Sequence, residues 1–110
     1  MQLKNLQDRV KLHTAKTTPR YKLYSQQEKE ILTRTVKLNE EVGELCNDIL
    51  SVLKLQRRSK LEKFDKRNFY EEFGDVIIST IQLAIAAGVD IDRAVNDKLK
   101  KIEEHYGKDH

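Results

Sequence analysis

The 110-residue chain predicts an all-α fold, a four-helix bundle-like domain completed by oligomerisation. Apolar residues recur at steps of three and four over long stretches, which places them on one face of a helix. Four glycines and one proline leave few breaks, and 35% charged with 6% aromatic residues suits long helices around a modest core. A core of this size is small, so a helical chain of this length gains by burying a face against another copy. One domain covering residues 1–110 follows.

Leu3 to about Lys16 reads as a first helix, with Leu3, Leu6 and Val10 on one side and His13 as a surface residue. Thr17-Thr18-Pro19 stops it, because proline disfavours helical geometry in the residue before it. Ser25-Gln26-Gln27-Glu28 has capping-box spacing. The second helix then runs from about Gln26 to Leu55, about 45 Å at the helical rise. Its apolar stripe is Ile31, Leu38, Val42, Leu45, Ile49 and Leu53. Gly43, inside that helix, costs about 1 kcal/mol relative to alanine, which a close approach of another backbone or a ligand would explain. The single cysteine, Cys46, excludes an internal disulfide and is expected to be a small buried side chain.

Residues 56–67 form a basic connection, read either as a solvated loop or as a mobile flap that meets phosphates. Asn68-Phe69-Tyr70-Glu71 repeats the cap spacing, so a third helix starts near Phe69 and ends at Ala87, with Gly88 as its stop. From Val76 to Ala87 it carries no charge. Such a helix is expected to be buried on most sides and to supply a subunit interface. Asp90 caps a fourth helix, about Ile91 to Tyr106, with Ile91, Val95, Leu99 and Ile102 facing inward. Lys98 and Lys101 share a flank of it, and Gly107 to His110 are expected to fray.

The net charge of +3 hides a mosaic. Residues 1–24 carry six basic groups and one acidic; residues 56–67 carry six and two; residues 68–90 carry four acidic groups and no basic one. A nucleic-acid binder more often presents one continuous basic face. The alternation suits a polyanion held between a metal and basic side chains. No apolar run approaches the roughly 18 residues of a membrane span, and Met1-Gln2-Leu3-Lys4 lacks the apolar core of a signal peptide. A soluble, cytoplasmic protein is the expectation.

Two acidic stretches carry the chemistry. The first is Glu40-Glu41-Val42-Gly43-Glu44 and the second Glu72-Phe73-Gly74-Asp75. Residues three and four apart share a helix face, so Glu41 projects with Glu44, Glu40 stands beside Glu44, and Glu72 projects with Asp75. Apolar neighbours put these carboxylates at the edge of a core, where their repulsion grows unless a positive charge neutralises them. An all-oxygen set suits a hard divalent cation, magnesium first and manganese second. Asp48, one turn beyond Glu44, is read as a solvated helix residue.

Glu-Glu-x-x-Glu in one helix followed by Glu-x-x-Asp in the next resembles the MazG-like, all-α nucleoside triphosphate pyrophosphohydrolases. The matching residues are Glu40, Glu41, Glu44, Glu72 and Asp75, and the likeness covers about residues 25–106. Lys98 and Lys101 match the family's lysines in the last helix and Tyr106 a common aromatic. Ile102 and His105 stand where the family carries Asn and Arg. The resemblance implies hydrolysis of a nucleoside triphosphate to the monophosphate and pyrophosphate. It implies Glu41, Glu44, Glu72 and Asp75 as direct metal ligands, and Glu40 as holder of a second metal or orienter of the attacking water. It implies phosphate binding by Lys98 and Lys101, and a homodimer or a dimer-of-dimers tetramer. A catalytically idle helical module that binds a partner or nucleotide is the alternative. Nucleic-acid binding through residues 1–24 and 56–67 is a distant third, since no helix-turn-helix pattern accompanies it.

Overall fold

The computed structural model describes residues 2–17, 22–55, 58 and 65–108. These form four helices and no strand: α1 (Leu3–Thr17), α2 (Gln26–Val52), α3 (Lys66–Ala87) and α4 (Ile91–Lys108). The expected stop at Thr18-Pro19, most of the basic connection 56–67 and the last two residues lie outside the described residues. No single helix is long and apolar enough to cross a membrane among those described.

Local chemistry sets the ends. Ser25 Oγ accepts the Glu28 N–H at 3.0 Å and Glu28 Oε1 accepts the Ser25 N–H at 3.1 Å, the reciprocal box that the spacing predicts. α2 stops at Val52, before the expected Leu55, because Lys54 turns left-handed at φ 58° and the Leu55 N–H folds back onto the Leu50 carbonyl at 2.7 Å. α3 begins one turn earlier than expected: Asp65, not Asn68, is the cap, its Oδ1 accepting the Arg67 N–H at 2.9 Å. A carboxylate there also meets the positive end of the helix dipole. Gly88 ends α3 at φ 71°, where the Val89 N–H reaches the Ala84 carbonyl at 2.8 Å. Asp90 Oδ1 accepts the Arg93 N–H at 3.2 Å, and α4 continues through Gly107 to Lys108 rather than fraying there.

Among the described residues, α2 against α3 is the helix pair that packs along its length. They run antiparallel: Gln27 Nε2 near the start of α2 donates to the Ala86 carbonyl near the end of α3 at 3.3 Å. The α2 side of the seam is Ile31, Arg34, Leu38, Glu41, Leu45, Asp48 and Ser51, all buried or half-buried at steps of three and four. The α3 side includes Phe69, Glu72, Val76, Ser79, Leu83 and Ala86. Val42 and Ile49, expected to face inward, lie on the exposed margin instead. The seam therefore alternates leucine with charged or hydroxyl side chains, and the carboxylates stand inside it.

Much apolar surface stays uncovered. Ile77, Ile78 and Ile85 on α3 are 60%, 55% and 73% exposed, so the uncharged stretch is not buried within one chain. Cys46 is exposed as well, against expectation, because the seam through Leu45 and Asp48 turns it outward. A Cβ built on Gly43 or Gly74 would meet nothing within 4 Å among the described residues, so neither glycine marks a close approach there. The radius of gyration is 20.6 Å, against about 13 Å for a compact domain of this length. The accessible surface is 9859 Å², against about 6,300 Å² for a folded monomer of this mass.

Candidate active site

The second turn of α3 carries Glu72 into the seam opposite Asp48 of α2. Its Oε2 is enclosed and has no hydrogen-bond partner. Burial, the hydrogen bond to the Asp48 carboxyl and the charge of Asp48 push its pKa from the ordinary 4.5 up to about 7, with Glu44 and Asp75 adding to the rise. Two carboxyls can hydrogen-bond only by sharing a proton, which favours the protonated form of Glu72 to a higher pH than an ordinary carboxylate. Glu44, Asp48, Glu72 and Asp75 thus form one electrostatic unit across two helices.

Glu41 lies in the same seam, one turn before Leu45, with its side chain 13% exposed. Lys37 serves it and Glu40 together: Lys37 Nζ is 3.7 Å from Glu41 Oε1 and 3.4 Å from Glu40 Oε2. That pairing, above all the Glu40 hydrogen bond, raises the Lys37 pKa, so the ammonium stays charged. Glu40 points to the exposed side of α2. The structure therefore separates the first motif into Glu44, which joins Glu72, and Glu40 and Glu41, which share a lysine.

Lys98 and Lys101 are exposed on α4. The α4 axis leaves α3 at 108°, and α4 does not pack along the α2–α3 hairpin. Within one chain these lysines are not brought to the carboxylates. Beside Asp75 lies an open cleft of about 760 Å³ lined by Phe69, Tyr70, Phe73, Gly74, Asp75 and Ile78. Phe69 and Phe73 meet edge to face there, with ring centres 5.4 Å apart.

Two residues escaped the sequence reading. Asp48 is not a solvated helix residue; it faces Glu72. Its spacing of four from Glu44 and seven from Glu41 puts all three on one stripe, and that was the signal available. Lys37, three and four residues before the acidic pair, was legible as a helix ion pair.

The donor set is chemically suited to a hard divalent cation: it is all oxygen, one oxygen is enclosed without a donor, and the neighbouring carboxylates raise the Glu72 pKa as uncompensated negative charge does. Among the described residues no three such side chains converge closely enough to hold an ion. The seam gathers carboxylates without closing them around an ion position.

A family model of the MazG nucleotide pyrophosphohydrolase domain matches residues 27–108, and the chain belongs to that family. The match takes in α2, α3 and α4 and leaves α1 outside. No curated protein and no solved structure matches the chain.

Proposed function

We propose that this protein is a divalent-metal-dependent nucleoside triphosphate pyrophosphohydrolase. Water adds to the α-phosphorus, the α–β phosphoanhydride bond breaks, and the monophosphate and pyrophosphate leave. The observation that carries this reading is the enclosed, unpartnered Glu72 oxygen facing Asp48, Glu44 and Asp75 across the α2–α3 seam, in a chain of this family. Glu41, Glu44, Glu72 and Asp75 would hold the cation, magnesium by the hardness of its donors, with Asp48 drawn in through Glu72. When bound, the ion supplies the charge that the carboxylates lack and polarises the phosphoryl oxygens.

The remaining work falls to side chains. Glu40, exposed and only loosely held by Lys37, accepts a hydrogen bond from the attacking water. Lys98 and Lys101 act as point charges on flexible stems and balance the phosphate chain. The uncovered faces of α3 and α4 support a homodimer or a pair of dimers. The test is a panel of canonical and modified nucleotides assayed for pyrophosphate, with magnesium, with manganese and with chelator. Metal-dependent pyrophosphate release supports the reading. Binding of nucleotide without release would reassign the protein to an idle nucleotide-binding module.

A further inference from the structure

We propose that Lys37 is a tethered counter-cation of the metal site: it holds Glu41 in the metal-free protein and must release that carboxylate before a divalent ion can bind it. This rests on the pyrophosphohydrolase reading above, which makes Glu41 a metal ligand. Lys37 Nζ stands 3.7 Å from Glu41 Oε1 and 3.4 Å from Glu40 Oε2. Both pairs lie within one helix at steps of four and three, so they need no other element to form. Glu40 accepts a hydrogen bond from Lys37 and its side chain is 57% exposed, whereas Glu41 is 13% exposed and lies in the α2–α3 seam. The ammonium therefore bridges the solvent side of α2 and the seam.

Among the described residues, Glu44, Asp48, Glu72 and Asp75 make no ion pair. The site therefore has an open half and a half that already holds a cation. Glu41 and Glu44 are one turn apart on the same stripe, so a cation bound to both would stand against the Lys37 ammonium. Like charges that close repel, and the divalent charge is attracted to the carboxylates twice as strongly as the ammonium. Lys37 has room to withdraw. Its side chain is 55% exposed and lines an open cleft of about 460 Å³ with Leu32, Thr33, Val36 and Glu40. It can give up Glu41 and keep Glu40, the nearer of its two partners. Arg34, the other cation on that cleft, is engaged by Glu30 at 2.8 Å and does not take its place. The lysine thus offsets repulsion within the first motif while the site is metal-free, and opposes the ion that fills it.

That opposition fixes the sign of the test. Manganese alone is titrated into the full chain and followed by the electron paramagnetic resonance of the free ion, which reads the binding constant without substrate. Lys37→Met keeps the aliphatic stem and removes the charge. It should tighten manganese about threefold to fivefold, the scale of two exposed ion pairs. Lys37→Arg keeps both pairs and should bind as wild type does. Lys29→Met removes one positive charge from α2 two turns away, and screening should keep it within about twofold of wild type. A lysine that merely orients Glu40 and Glu41 would give the opposite sign, weaker binding in Lys37→Met. Weaker or unchanged binding there, or equal tightening in Lys29→Met, overturns the proposal. Melting scans read the same effect: the rise in midpoint on adding manganese should be larger in Lys37→Met than in wild type, and an equal or smaller rise overturns it. If wild type binds no manganese, the proposal and the metal-dependent reading fall together. Tighter binding in Lys37→Met, in a protein that releases no pyrophosphate, keeps the counter-cation and sinks the proposed reaction instead.

Discussion

Burial and the neighbouring Asp48 push the Glu72 carboxyl from 4.5 up to about 7, which has a consequence for stability. Its pKa rises from 4.5 in the unfolded chain to about 7 in the folded one. The folded state then binds more protons than the unfolded state between those values, so stability falls as pH rises through that window. Metal-free protein should therefore melt highest below about pH 4.5 as far as this group is concerned and lose that contribution by about pH 7. Glu72→Gln, which keeps the shape and cannot ionise, should flatten that part of the profile in thermal scans. An unchanged slope would show that the proton resides elsewhere. Glu44→Gln and Asp75→Asn each remove a charge without removing bulk. They should abolish pyrophosphate release while circular dichroism stays wild-type, and in chelator they should melt no lower, because they relieve repulsion. Asp48→Asn tests the residue that the seam adds: it should impair turnover as the motif carboxylates do, and full activity would return Asp48 to a structural role.

At the scale of the helix, the hairpin depends on its ends as much as on its seam. Gly88 turns the chain from α3 to α4 at φ 71°, a region in which a Cβ costs roughly 1 kcal/mol. Gly88→Ala should lower stability by about that amount, although none of the described residues crowds the position. Ser25→Ala removes one half of a reciprocal cap and should cost about 1 kcal/mol. Both are read from melting at one fixed protein concentration, since association shifts the apparent midpoint. The seam itself is unusual in what it buries. Leu38 and Leu45 on α2 and Val76 and Leu83 on α3 supply half-buried apolar side chains to it. Glu41, Asp48 and Glu72 stand half-buried between them, and burying like charges there costs stability. The enclosed carboxylates are accordingly the natural place for a bound cation to add stability, and saturating magnesium should raise the melting temperature of wild type more than that of Asp75→Asn.

For the whole molecule, the radius of 20.6 Å and the surface of 9859 Å² describe a chain with more apolar face than it can cover alone. Ile81, between the exposed Ile77 and Ile85 on α3, is 37% exposed and lies on that face. Ile81→Asp would place an unpaired charge in the proposed subunit interface and should yield monomers or aggregate. Sedimentation velocity at micromolar concentration reads this directly, and a monomeric wild type would contradict the assembly.

The four helices, their caps at Ser25 and Asp90, the stop at Gly88 and the two carboxylate motifs could all be read from the order of residues. Each depends on neighbours within four positions, where helix geometry leaves little choice. The face that α2 turns to α3 could not. α2 has apolar side chains on more than one side, so periodicity alone favoured Val42 and Ile49, whereas the packed seam runs through Glu41 and Asp48. α3 is apolar all round from Val76 to Ala87 and gives no direction of its own. Asp48 came to face Glu72, Cys46 turned outward and Glu40 was left with Lys37 as a result of that one rotation. The departure of α4 at 108° was equally hidden, because a two-residue connection after Gly88 permits many angles and only long-range packing selects among them.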